Sequence, residues 1–154
     1  MIKAIALDVD GVLTDGTFWW DGAGSVELKR FSFRDVMGVA RAARHGVIFA
    51  LISGERNPIV DRYAAKMSIA HVWQGCSTKD AALREYSEKI GVPLSEIAFM
   101  GDDVNDLAAI AIAGFSACPA DAHESVRSVV NLVSRFPGGN GAVREMLDHL
   151  DLVK

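Results

Sequence analysis

Short apolar runs recur along this chain, and each breaks off in a polar cluster. They occupy residues 2–7, 47–52, 69–73, 97–100, 115–118 and 129–133. Runs this short, with hardly a charge among them, read as strands buried on both faces. The segments between them carry helical spacing, and such alternation calls for a parallel sheet with crossover helices. The first run is the most constraining, because it ends in Asp8-Val9-Asp10-Gly11-Val12-Leu13-Thr14-Asp15-Gly16-Thr17. Gly11 gives the chain a sharp exit. Ligands of open α/β sheets bind beyond the carboxyl ends of the strands, so Asp8 and Asp10 fall where chemistry is expected.

The helices are marked by their ends. Asp35 can cap a helix through Val36, Val39, Ala40 and Ala43, with Gly46 as its stop. Asn57-Pro58 opens a second, residues 78–90 form a third stopped by Gly91, and Asn105 or Asp106 begins a small Ala-rich one. A last helix over 142–150 follows Gly138-Gly139-Asn140-Gly141. Residues 17–20 and 25–29 flank Asp21-Gly22-Ala23-Gly24 and read as a β-hairpin.

The expected fold is α/β: a three-layer, Rossmann-like parallel sheet with helices on both faces and a small hairpin flap over about 17–29. With 154 residues, 1–154 reads as one domain. Half the residues are hydrophobic and 23% are charged, a globular composition. The net charge of −4 argues against a nucleic-acid partner. No apolar run reaches membrane-spanning length, and Cys76 and Cys118 have no metal-type spacing. A cytoplasmic protein is expected.

Four strands carry polar signals at or just past their carboxyl ends. Asp8 and Asp10 end the first, and Ser53-Gly54 the second, where a hydroxyl and backbone N–H groups could hold phosphate oxygens. Lys79 opens the helix after the third, placed as a point charge for phosphate. Asp102, Asp103 and Asp106 follow the fourth and suit a hard cation such as Mg²⁺. Taken singly, each reads better as a turn, a cap or a solvated residue. Turn chemistry alone has no need of all four in this order.

This order resembles the four motifs of haloacid dehalogenase superfamily phosphatases: Asp8-Val9-Asp10-Gly11-Val12, Ser53-Gly54, Lys79, and Gly101-Asp102-Asp103-Val104-Asn105-Asp106. The resemblance spans the chain. It implies that Asp8 is a nucleophile forming an aspartyl-phosphate, and that Asp10 protonates the leaving alcohol and later activates water. It implies Mg²⁺ held by Asp8, the backbone carbonyl of Asp10 and Asp102, with Asp103 and Asp106 in support. Ser53, Gly54 and Lys79 would hold the phosphoryl group.

Many members carry a cap domain, but the about thirty-five residues between Asp15 and Ser53 leave room only for the hairpin. Phe18, Trp19 and Trp20 would then present apolar surface, best explained by packing against other subunits. The capless plan, the Asp-Gly-Val-Leu-Thr-Asp-Gly run and residues 138–145 are similar to those of 3-deoxy-D-manno-octulosonate 8-phosphate phosphatases and nonulosonate 9-phosphate relatives. That likeness implies a homotetramer whose neighbouring subunits close each site, with Arg144 or the 138–141 loop reaching towards a phosphorylated sugar acid. Glu55 stands where the octulosonate enzymes have arginine, Asn140 replaces another arginine, and Val36 replaces a glycine. A Glu55–Lys66 pair at the sugar acid is closer to the nonulosonate branch. Two rivals remain: a catalytically silent oligomerisation module related to acylneuraminate cytidylyltransferase-type enzymes, which would not need the intact motif set, and a phosphomutase, which would need a cap.

Overall fold

The structure is a computed structural model that describes residues 1–24 and 26–153. Its elements in chain order are β1 (Ala4–Leu7), β2 (Trp19–Trp20), β3 (Glu27–Leu28), α1 (Phe33–Arg44), β4 (Ile48–Ile52), α2 (Pro58–Met67) and β5 (His71–Trp73). There follow α3 (Lys79–Ile90), β6 (Ile97–Met100), α4 (Leu107–Ile112), β7 (Phe115–Cys118), α5 (Glu124–Arg127), β8 (Leu132–Val133) and α6 (Ala142–His149).

Six strands form one parallel sheet in the order β5-β4-β1-β6-β7-β8. Side chains of successive strand residues point to opposite faces. Ile5, Leu7, Phe49, Leu51 and Met100 therefore pack with Val39, Tyr63, Met146 and Leu147 of α1, α2 and α6. Ala4, Ala6, Ile52 and Phe99 pack on the other side with Leu83, Tyr86, Ile110 and Val126 of α3, α4 and α5. The result is the expected three-layer α/β sandwich. β1 lies between β4 and β6, with Leu7 paired to both Leu51 and Met100, so the ends of these three strands are level. The strand order runs outward in both directions from β1, which makes its carboxyl end the topological switch point.

Two elements differ from the sequence expectation. Asp35 does not cap its own helix: Ser32 occupies that position, while buried Asp35 accepts from the N–H groups of Gly141 and Arg144 and so caps α6. Its periodicity-based reading failed because the cap's partner lies about a hundred residues away in sequence. The one-turn α5 was absent from the sequence reading, since its four residues are too few to show a period.

The hairpin forms from β2 and β3, with Trp19 opposite Leu28 and Trp20 opposite Glu27. Ser25, assigned to its second strand from sequence, lies outside the described residues. Trp19 and Trp20 are each 69% exposed and Phe18 52%, so these aromatics do not fold back onto the chain's own core.

Candidate active site

The loop after β1 is a tight turn in which Thr14 donates its N–H to the Val9 carbonyl at 3.1 Å. The buried Thr14 hydroxyl accepts from the N–H groups of Gly11 (3.3 Å) and Gly16 (3.2 Å), which explains the spacing of Gly-Val-Leu-Thr-Asp-Gly. Gly11 has φ 85°, and a methyl group there would lie 2.0 Å from Asp102 Oδ2. Glycine is required both by the turn and by the approach of Asp102. The Gly138–Gly139 segment buttresses this loop from behind: a methyl group on Gly138 would sit 1.8 Å from the Gly11 carbonyl, and Gly139 donates to Val12 at 2.9 Å.

A polar cleft of about 430 Å³ opens beyond the strand ends, lined by Asp8, Asp10, Gly54, Glu55, Lys79 and Asp102 among others. At its floor Lys79, 1% exposed, stands 2.9 Å from Asp8 Oδ1 and 2.6 Å from Asp106 Oδ1. Burial alone would lower the pKa of Lys79, but the charges of Asp8 and Asp106 outweigh it and hold the ammonium above its ordinary value. Burial pushes Asp8 up against the pull of Lys79, and burial followed by the charges of Asp8 and Asp106 pushes Asp102 up. Three acids around one cation leave excess negative charge that a further cation would relieve.

The donor set fits Mg²⁺. Oxygens of Asp8, Asp102 and Asp106 lie within 4.8 Å of one another. Asp106 is already committed, since Oδ1 holds Lys79 and Oδ2 accepts from the N–H groups of Asp102 (2.9 Å) and Asp103 (3.1 Å). That leaves Asp8 and Asp102 as the carboxylates free for a hard ion, with Asp106 fixing the loop. Asp103 is exposed and caps the turn over 104–106 through the Val104 N–H, at 2.7 Å. Ser53, 1% exposed, has an Oγ with no hydrogen-bond partner. A buried hydroxyl in that state suits an acceptor supplied from outside the chain.

A model of the haloacid dehalogenase-like hydrolase family matches residues 28–146. The chain belongs to this family. Over 153 residues it is 37% identical to the 3-deoxy-D-manno-octulosonate 8-phosphate phosphatase of Escherichia coli strain K12, covering 99% of this chain and 81% of that one. It superposes with a TM-score of 0.93 on the Moraxella catarrhalis enzyme of that name, solved with magnesium, phosphate and KDO, at 38% identity and 98% and 87% coverage. A cobalt-bound Haemophilus influenzae phosphatase likewise gives a TM-score of 0.93, at 37% identity and 98% and 88% coverage.

Within this dehalogenase-like hydrolase, three sequence-assigned substrate residues are dispersed. Glu55 lines the cleft, but it does not pair with Lys66. It accepts from Lys29 Nζ at 3.0 Å. Lys66 lines a neighbouring groove with Glu27, Lys29, Phe33, Arg62 and Tyr63, since it projects from the last turn of α2 while Glu55 precedes that helix. Arg144 is engaged with Asp148 on α6 and lines a third hollow with Arg34 and Phe136. The sequence reading missed Lys29, whose side chain is 3% exposed and 2.7 Å from Asp10 Oδ1. The available signal was alternation: Glu27 and Lys29 share one face of β3's extension, opposite the exposed Leu28.

Proposed function

We propose that the chain is a Mg²⁺-dependent phosphomonoesterase that hydrolyses 3-deoxy-D-manno-octulosonate 8-phosphate through an aspartyl-phosphate on Asp8. The observation that carries this is the buried Asp8–Lys79–Asp106 cluster with Asp102 beside it, in a chain 37% identical to phosphatases of that name. In the first half-reaction an Asp8 oxygen bonds to phosphorus as the phosphorus–alkyl oxygen bond breaks. Asp10 gives its proton to the departing oxygen. In the second, water attacks phosphorus, Asp10 takes the water's proton, and Asp8 leaves as a free carboxylate. Asp8, Asp102 and the Asp10 carbonyl would hold Mg²⁺, which supplies charge neutralisation for a carboxylate approaching a phosphate dianion. Lys79, Ser53 and the Gly54 N–H would hold the phosphoryl oxygens.

The octulosonate is preferred over a nonulosonate 9-phosphate because the relatives 37% identical to this chain are octulosonate 8-phosphate phosphatases. The whole of 1–154 acts as one catalytic unit with 17–29 as its flap. A homotetramer is supported by the exposed Phe18, Trp19 and Trp20. Neither Lys66 nor Arg144 lines this chain's own cleft, and each would serve the substrate of a neighbouring subunit. The cytoplasmic location rests on composition, and among the described residues no helix is long and apolar enough to cross a membrane. A silent module would not need a buried Lys79 between two acids.

Phosphate release from the two sugar acid phosphates, with Mg²⁺ and with EDTA, tests the reading. The expected result is metal-dependent turnover with the octulosonate favoured at least tenfold in kcat/KM. No metal-dependent release from either would overturn it.

A further inference from the structure

The hairpin touches the catalytic loops through one ammonium group. Lys29 donates to Asp10 Oδ1 at 2.7 Å and to Glu55 Oε2 at 3.0 Å, and stands 3.4 Å from Glu27 Oε1. Glu27 in turn accepts from Trp20 Nε1 (2.9 Å) and Asn57 Nδ2 (2.7 Å). One end of this network is β2, and its other ends are the loop after β1, the loop after β4 and the start of α2. The Lys29 ammonium is thus held on the flap by three carboxylates, those of Asp10, Glu27 and Glu55.

Asp10 needs such a restraint. Its side chain is 34% exposed on a loop, while Asp8, one residue from it, is locked from below by Lys79. A lone carboxylate at that exposure samples several rotamers, whereas proton transfer requires the acid within hydrogen-bond reach of the leaving oxygen. With Oδ1 held by Lys29, Oδ2 is the oxygen left to face the reacting group.

We propose that Lys29 is a positioning residue for proton transfer, fixing the Asp10 carboxylate from the flap and tying the flap to the loop that carries Ser53 and Glu55. The role rests on the phosphatase reading, in which Asp10 is the general acid. A misplacement of about 1 Å in such a group costs on the order of 100-fold in rate. The loss must depend on the leaving group. An alkoxide needs its proton as it departs, whereas p-nitrophenolate leaves without one, so an aryl ester bypasses Asp10 up to the first irreversible step.

The test compares kcat/KM for the sugar acid 8-phosphate and for p-nitrophenyl phosphate in wild type, Lys29→Met and Lys29→Arg, with circular dichroism confirming the fold. Lys29→Met should lose roughly 100-fold on the alkyl ester and less than about threefold on the aryl ester. Lys29→Arg, which keeps the charge and a donor, should recover part of the alkyl loss. If Lys29→Met does not fold, Lys29→Gln carries the same comparison. Equal losses on both esters would mark Lys29 as a structural residue and overturn the proposal, as would an unchanged alkyl rate. A wild type inactive on both esters would overturn the phosphatase reading and this role with it. An active wild type with either unfavourable pattern overturns the positioning role alone.

Discussion

The floor of the cleft and the flap above it are built by opposite means. At the floor, Lys79 and Asp106 are sealed at the ends of the fully buried strands β1 and β6, and each charged atom has its partner inside the chain. In the flap, each strand is two residues long, the large apolar side chains face outward, and the link to the body is a set of polar bonds through Glu27 and Lys29. A two-stranded hairpin is marginal in water by itself. On the function proposed above, one chain completes the phosphate-reacting centre, and a second copy would supply the cover and the distal sugar contacts. Chemistry and substrate choice should therefore respond to different mutations.

The sharpest way to break this division is at the floor. Asp8→Asn should reduce metal-dependent phosphate release by at least roughly four orders of magnitude on any ester, as removal of a nucleophile does, while circular dichroism stays unchanged. Steady-state assays on the alkyl and aryl phosphates check it, and release near the wild-type rate would end the covalent mechanism.

The two lysines provide the next contrast, read in stability. Lys79→Met strands the buried carboxylates of Asp8 and Asp106 and should cost about 3–5 kcal/mol in urea unfolding. Lys29→Met leaves Asp10 and Glu55, which are 34% and 65% exposed, to be solvated by water. It should cost about 1 kcal/mol or less. Equal losses would mean that flap and floor are one cooperative unit.

Replacing Trp19 and Trp20 together with Ser probes the flap's missing partner. Each large side chain buried in an interface contributes on the order of 2 kcal/mol, so the assembly should dissociate in light scattering. Turnover of the sugar acid phosphate should fall with it, and p-nitrophenyl phosphate, which needs no distal contacts, should be spared. A fully active wild-type monomer would refute the shared-site idea.

The same division governs what could be read from sequence. The strands of the main sheet, their parallel sense and the polar clusters at their ends announced themselves, because buried strands leave contiguous apolar runs and carboxylates at their ends stand out. Ser53, Lys79 and Asp102 follow directly from that pattern. Asp35 was misassigned, since a cap satisfied by α6 leaves no local signature around α1. The contact between Lys29 and Glu55 is illegible for a related reason: their meeting depends on how the hairpin folds over the cleft, which no spacing encodes. Local periodicity reports what each segment buries, but a contact between a flap and a loop is tertiary geometry alone.

The smallest expected effect separates the two regions by pH. Asp15, at the flap's base, accepts from the hydroxyl (2.6 Å) and N–H (3.0 Å) of Thr17 and from Arg30 (3.0 Å), and these bonds hold its carboxyl below the usual aspartate value of 3.8. Asp35, where α1 meets the start of α6, is raised above that value by burial, against the pull of the Arg144 and Gly141 N–H groups. The signs are opposite. A depressed carboxyl contributes stability that is present above the unfolded value and is lost as pH falls through the folded one. A raised carboxyl contributes most below the unfolded value and loses that contribution as pH rises through the folded one. Acidification from pH 5 should therefore loosen the flap's base at Asp15 while relieving the cost of the buried charge at Asp35. NMR titration of the two side-chain carboxyl carbons checks this, with Asp15 expected to titrate below 3.8 and Asp35 above it. The reverse order would make the α1–α6 contact, not the flap's base, the site of the better-stabilised carboxylate and would overturn this electrostatic contrast.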